Sequence, residues 1–428
     1  MQANAAEATP NRPGRIPAGI ARLMNRACRF GLRLVVAALY ARAESASPRL
    51  ILVFRTGTIG DMVCALPALA WLRQQFPQAS VHLLTAPTAI PLRWEDETFT
   101  AGASILADSR LVDHTLLFTG ADLKSLRRLR ALRQHIRSLD PDRAYLLPRT
   151  GERPWRILKK ILFLRLLGVR KNLLGYDLDK MFTVFRKAQF LDGGFDHQVT
   201  TTLKAVGATA NDPVAFPIEI EPAARQRVEK LWREHGLDGK RVIGLFPSAK
   251  FEHKRWPLEN FLSFCQTLGR DPGIAILLVG GAADKALADQ LAARSAAPLV
   301  NLAGRTTLAE TAEILRRCDL YVGNDSGPAH IAAAVGTPCV TLFSSIVFPG
   351  IWEPWGAGHI SLRHRVPCEF CFSEDHCPRG TRECIGGIGV EEVLATVKAR
   401  LSRPSDQPSS AGSPKRNVTE PATAQHGW

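Results

Sequence analysis

Gly323-Asn324-Asp325-Ser326-Gly327-Pro328-Ala329-His330 follows the apolar run Leu320 to Gly323 and enters the helical run Ile331 to Val335. A strand, a turn of small polar residues and then a helix is the repeating step of a βαβ chain, so this stretch predicts a parallel sheet with its loops at the carboxyl ends of the strands. Asp325 or Ser326 suits the cap of the helix and Pro328 its first turn, while the N–H groups of Ser326 to Ala329 offer a cradle for a phosphate. Gly327 lets backbone approach a ligand closely, and His330 adds a hydrogen-bond donor. The plain alternative is a capped helix after a strand, with a glycine tolerated in a tight turn.

The same step recurs in two similar halves. The first half places strands at Leu50 to Phe54, Val81 to Thr85 and Ala144 to Leu147, with a helix over Ala65 to Gln75. The second places strands at Val242 to Phe246, Ile274 to Val279, Leu299 to Asn301, Leu320 to Gly323 and Cys339 to Phe343. Helices at Leu258 to Leu268, Ala286 to Arg294 and Leu308 to Cys318 fill the gaps between them. Short apolar runs alternating with longer amphipathic ones predict two doubly wound α/β domains facing across a cleft. The expected divisions are a disordered N-terminus at residues 1–19, a basic amphipathic helix at 20–44 and a first Rossmann-like domain at 45–217. A linker at 218–240, a second Rossmann-like domain at 241–385, a C-terminal helix at 386–402 and a disordered tail at 403–428 complete them.

With 428 residues, 46% of them hydrophobic, the chain has length for two large cores. Fifty-five Lys and Arg against 40 Asp and Glu leave a formal charge of +15, which points to an acidic partner. Paired Cys/His fingers, an aromatic RNA-binding signature and a long basic tail are all missing, so nucleic acid is not the expected one. Phosphorylated glycan and anionic lipid remain. Nine scattered or late-clustered cysteines do not read as a secreted disulfide framework, and a reducing cytoplasm is expected.

Three loops carry the candidate chemistry. Phe246-Pro247-Ser248-Ala249-Lys250, continued by His253-Lys254-Arg255-Trp256-Pro257, is a basic loop after the first strand of the second half. Lys254 is the choice to stabilise charge on a departing diphosphate, against the reading of a solvated charge run. Arg55-Thr56-Gly57-Thr58-Ile59-Gly60-Asp61 leads from a strand into a helix, where Asp61 is either a general base for an acceptor hydroxyl or a helix cap. Cys368, Cys371, Cys377 and Cys384 have a spacing that four thiolates use to hold a structural zinc, or that small buried hydrophobes use to pack.

Near the N-terminus, Arg22, Arg26, Arg29 and Arg33 share one helical face, with Leu23, Ala27, Phe30, Leu34 and Ala38 turned away. The run Leu34 to Leu39 is too short to cross a bilayer. An interfacial helix on an anionic membrane, a helix packed on the protein and a signal peptide ending near Ala41-Arg42-Ala43 are the three readings, with a polar lead-in against the last. The basic segments Lys124 to Arg137 and Arg153 to Lys171 meet lipid or glycan phosphate, or are solvated helix faces.

Taken in order, five of these stretches resemble glycosyltransferase family 9, the heptosyltransferase-like family of bacterial envelope synthesis. They are Phe54 to Asp61 with Leu66-Pro67-Ala68-Leu69, Lys254 to Pro257, Asn301-Leu302-Ala303-Gly304, Asn324 to His330, and Trp352-Glu353-Pro354-Trp355-Gly356. The resemblance implies the GT-B fold of two Rossmann-like domains, an acceptor on the first and a nucleotide sugar on the second, and inversion at the anomeric carbon. It implies Asp61 as base and Lys254 on the diphosphate. Ser248, Asp284, Asp325, Ser326, Gly327, Pro328 and His330 fall on the donor side, and Arg55, Thr58 and Gly60 on the acceptor side. It further implies ADP-heptose as donor, a lipopolysaccharide-type or lipid-linked acceptor, no required cofactor, and a place in the cytoplasm, peripheral on the inner face of the inner membrane. Thr56-Gly57-Thr58 and Phe343-Ser344-Ser345 depart from the common family pattern, which leaves the donor sugar open between heptose and others. An epimerase-like enzyme of the same fold and a non-catalytic glycan-binding protein are the competing readings.

Overall fold

The computed structural model describes residues 17–42, 46–86, 104–106, 109–178, 194–373 and 376–402. The chain ends expected to be disordered lie outside these ranges, apart from residues 17–19. Among the described residues eleven parallel strands form two sheets. In the first, β1 (Leu50–Phe54) is central, flanked by β2 (Ser80–Thr85) and β4 (Arg143–Leu146), with β3 (His114–Leu117) and β5 (Leu173–Leu174) at the edges. Every residue of β1 is buried, as its unbroken apolar run demands for a strand covered on both faces. The second sheet has the order β11-β10-β9-β6-β7-β8. Its strands are β6 (Arg241–Phe246), β7 (Ile274–Leu278), β8 (Leu299–Asn301), β9 (Leu320–Asn324), β10 (Cys339–Phe343) and β11 (Ile360–Arg363).

Helices cover both sheets. On one face of the first sheet lie α1 (Ala18–Leu39), α5 (Leu126–Leu139) and α6 (Pro154–Leu167), after the short α4 (Gly120–Lys124). Their inward stripe, including Leu32, Val36, Ile136, Ile157, Ile161 and Leu164, closes a core over Leu52, Phe54 and Leu146. On the other face α2 (Ile59–Val63), α3 (Leu66–Gln75) and α7 (Gln198–Val206) contribute to a second core that runs on into the other domain. There it meets α8 (Pro222–Glu234) and α11 (Leu308–Arg317), joined by Arg317 over the Trp232 ring at 4.6 Å. α9 (Leu258–Leu268), α10 (Lys285–Arg294) and α14 (Val390–Leu401) cover the second sheet's remaining face, and α12 (Gly327–Ala334) and α13 (Glu383–Gly386) are the other helices of this domain among the described residues. Fully burying a side chain such as Phe261 or Phe264 contributes about 1.5–3 kcal/mol.

The N-terminal helix stops at Leu39, short of the expected 44, because Ala41 pairs with the sheet edge instead. Its N–H donates to the Arg170 carbonyl and its carbonyl accepts from Asn172, forming a parallel bridge to Lys171. Tyr40 fixes the turn by donating its hydroxyl to the Ile161 carbonyl at 2.6 Å.

Each sheet has one switch point, where the chain, having run outward strand by strand, returns to the other side of its first strand. In the first sheet it lies between β1 and β4, and in the second between β6 and β9. Crevices open at such points, beyond the carboxyl ends of the two strands.

Candidate active site

The first switch point holds Asp61. β1 ends at Phe54 and the chain turns through Gly57, at φ +152, where an added Cβ would lie 2.4 Å from the Asp61 Cβ and Cγ atoms. Only glycine lets the carboxylate fold back over the turn. Thr58 begins α2, and Asp61, three residues on, closes a capping box: Oδ2 accepts from the Thr58 N–H at 2.8 Å and from its hydroxyl at 3.0 Å. Oδ1 accepts from Arg55 Nη2 and from Arg149 Nε, each at 3.1 Å. Asp61 is 2% exposed. Burial works to raise its carboxyl, but Arg149, Arg55 and the Thr58 hydrogen bonds outweigh it and hold the group below the usual carboxylate range. Of the two sequence alternatives for Asp61, the helix cap is the one seen, and the carboxylate that makes it is also held by two arginines.

Arg55 is buried, and its donors all go inward: Nη1 to the carbonyls of Leu147 and Pro148, Nη2 and Nε to the Asp61 carbonyl. It braces the switch point from beneath and supports Asp61. Arg149 is different. It stands one residue past Pro148 at the end of β4, 40% exposed, with its guanidinium 5.3 Å from the Trp352 ring of the other domain. Sequence reasoning missed Arg149 because a lone arginine after a strand carries no signal until the topology sets β4 beside β1.

The second switch point has the same plan. The loop after β6 carries Ser248, which is buried, and Lys254; the loop after β9 carries Asp325. Lys254 Nζ lies 2.8 Å from Asp325 Oδ2, mostly shielded from water. Asn324 holds the two loops together, donating to the carbonyls of Pro247 and Ser248 at 2.9 and 3.1 Å and accepting from the Trp256 N–H at 3.0 Å. Ser326 takes the N-cap position of α12, but its hydroxyl donates back to the Asn324 carbonyl at 3.0 Å and makes no cap bond. Pro328 sits in the first turn as expected.

The two switch points face each other. A Cβ on Gly60 would lie 2.7 Å from His330 Cδ2, and one on Gly327 would lie 3.0 Å from the Ile59 Cβ. The glycines of both motifs therefore let α2 and α12 touch across the domain boundary, whereas the sequence suggested close ligand approach for Gly327 and an acceptor-side place for Gly60. Cys64 Sγ is 3.6 Å from His330 Nδ1. Burial lowers the His330 pKa against the pull of Asp325, Asp61 and Glu353, so the ring is held towards its neutral form. Trp352 stacks edge-on to His330 at 6.3 Å. Beside it His197 donates from Nε2 to the Glu353 carbonyl at 2.8 Å and accepts the Val199 N–H on Nδ1; burial pushes its pKa down to about 4. The Trp352-Glu353-Pro354-Trp355 motif is thus a contact between domains.

Two expectations fall outside this assembly. Asp284, after β7, turns its carboxylate to the Gly281 N–H of its own loop at 2.9 Å. Cys368, Cys371, Cys377 and Cys384 line one small cavity with His253, as free thiols. Among the described residues no three His, Cys, Asp or Glu side chains are set to hold a metal ion. Phe370 and Phe372, in left-handed backbone, turn their rings onto Phe348 and shape the loop around apolar packing.

Comparison with known proteins gives a consistent family. The sequence model of glycosyltransferase family 9 (heptosyltransferase) matches residues 172–379. Lipooligosaccharide heptosyltransferase 2 of Haemophilus influenzae is 36% identical over 141 residues, 31% of this chain and 40% of that protein. The chain thus spans less than two thirds of that relative. Lipopolysaccharide heptosyltransferase 3 of Escherichia coli K12 is 23% identical over 368 residues, covering 82% of this chain and 97% of that one. In structure, the family 9 glycosyl transferase of Veillonella parvula superposes with a TM-score of 0.64 at 19% identity, covering 84% of this chain and 99% of the other. The Escherichia coli ADP-heptose lps heptosyltransferase II superposes at 0.57 and 19%, covering 82% and 98%. The two facing parallel sheets are the GT-B fold of these enzymes.

Proposed function

The chain belongs to glycosyltransferase family 9, and from that premise we propose that it is an inverting transferase that moves a sugar from a nucleoside diphosphate to an envelope glycan. The favoured donor is ADP-heptose and the favoured acceptor the lipopolysaccharide core, in keeping with the heptosyltransferases it resembles. One observation carries the reading: an ionised carboxylate at the switch point of one domain abuts, through Gly60 and His330, a lysine and a helix N-terminus at the switch point of the other.

Asp61 takes the proton of the acceptor hydroxyl while that oxygen bonds to the anomeric carbon. The bond from that carbon to the diphosphate breaks on the opposite side, and its electron pair leaves with the nucleoside diphosphate. Lys254 and the N-terminus of α12 stabilise the charge that develops there. Lys254 is held ready by Asp325, which yields to the diphosphate. Arg149, Arg55 and Thr58 keep Asp61 ionised, and they fill both of its oxygens. Thr58 is exposed, so its hydroxyl is the donor that an incoming acceptor hydroxyl displaces. Asp284, in the loop after β7, is assigned by resemblance to the donor ribose, a role that requires its own loop to release its carboxylate.

Asp61→Asn tests the assignment. Transfer should fall by about 10²- to 10⁴-fold, the usual worth of a general base, with nucleotide binding by thermal shift unchanged. Full turnover in the variant removes Asp61 as the base.

A further inference from the structure

Twelve large hydrophobic side chains are exposed among the described residues, and all twelve precede residue 175; the second domain exposes none. Ten of them lie on α1, α4, α5 and α6, the helices of the layer outside the first sheet. α1 shows how this arises. It packs on the protein through Ala21, Asn25, Leu32 and Val36, each under 7% exposed, and this leaves a second apolar stripe outside, with Leu23, Phe30 and Leu34 at 68%, 63% and 56%. The inner stripe meets the packed-helix reading, and the outer stripe is the face that the interfacial reading requires. α6 repeats the pattern, with Trp155, Leu162 and Leu166 nearly half exposed at positions that share a helical face. It packs against both α1 and α5.

The charge on these helices is one-sided. α1, α5 and α6 carry four, five and four Arg or Lys residues and no Asp or Glu. Arginines flank the exposed leucines, and Arg156 and Lys159 lie 5.5 and 4.5 Å from the Trp155 ring. Apolar side chains ringed by cations, with an amphipathic aromatic among them, match the boundary between acyl chains and anionic headgroups. No helix among the described residues is long and apolar enough to cross a membrane.

We propose that the outer face of α1, α5 and α6 docks this protein on an anionic lipid surface, with Leu23, Phe30 and Leu34 entering the headgroup boundary and the arginines of α5 meeting lipid phosphate. The inference does not depend on the transfer reaction. It gives the first domain a lipid-facing side and leaves the second free of the membrane.

Flotation of the full chain with vesicles of phosphatidylcholine, with and without phosphatidylglycerol, tests it. Binding should be roughly tenfold or more stronger on the anionic vesicles and should weaken with salt. Leu23→Gln/Phe30→Gln/Leu34→Gln should lower binding roughly tenfold with the melting temperature unchanged, since all three side chains are exposed. Independently, Arg127→Gln/Arg130→Gln/Arg133→Gln should erase the preference for phosphatidylglycerol. No flotation, equal binding to both vesicles, or unaltered binding by either variant overturns the proposal. Displacement by duplex DNA at the salt where vesicles bind also overturns it, in favour of a general polyanion site.

Discussion

Gly60→Ala perturbs the junction of the two switch points with a single methyl group. Its Cβ would lie 2.7 Å from His330 Cδ2 and 3.2 Å from Nε2, where ordinary contact begins at 3.4 Å. The shortfall of about 0.7 Å has to come from rotating a buried imidazole or from parting α2 and α12. Either response costs about 1–3 kcal/mol, typical of an overpacked core. It also moves Asp61, next in sequence, relative to Lys254 and the helix end. Displacing reacting groups by about 1 Å costs on the order of 10²-fold in rate. Nucleotide affinity should change little, because Ser248, Lys254 and Asp325 are organised within the second domain by Asn324. Steady-state kinetics and ADP titration together read this out as a fall in kcat with Kd for ADP preserved. A variant that retains wild-type kcat and melting temperature refutes the packed junction.

Lys254→Met removes the cation proposed to meet the diphosphate and strands Asp325 beside it; kcat should fall by roughly 10²- to 10³-fold, the cost of losing one charge-stabilising donor, and a rate within threefold of wild type denies it that role. Arg149→Met removes the largest influence that lowers the Asp61 pKa, so the acid limb of the pH–kcat/KM profile should move to higher pH. The same change affects stability with a defined sign. A depressed carboxyl stabilises the fold above its unfolded pKa and loses that contribution as pH falls through its folded value, so acid unfolding of Arg149→Met should begin at higher pH than in the wild type. An unmoved acid limb would show that Asp61 does not govern the profile.

The central strands were legible because their burial on both faces leaves unbroken apolar runs such as Leu50 to Phe54. Three edge strands were not. β3 is exposed at three of its four residues, β5 has two residues, and β11 is half-buried throughout, so none produces such a run. Of the site, the loops of Asp61, Lys254 and Asp325 were readable from their small and charged residues after strands. What they touch was not. Gly327 reads as a phosphate-loop glycine in sequence and Gly60 as an acceptor-side one, yet both serve a helix contact across domains; Arg149 meets Asp61 only because β4 pairs with β1, and His197 meets the Glu353 carbonyl only because the two domains touch. The cysteine spacing offered a ligand set or simple packing; the cavity the four thiols share, and the rings of Phe370 and Phe372 against Phe348, became visible only in the fold.

The most direct measurement incubates the purified protein with ADP-heptose, and with UDP, GDP and CMP sugars in parallel, in the presence and absence of a heptose-deficient lipopolysaccharide acceptor. ADP release should require the acceptor and be matched by a heptose added to the glycan with its anomeric configuration inverted. Conversion of the donor sugar without acceptor, retention of configuration, or no turnover with any of the donors would contradict the proposed transfer.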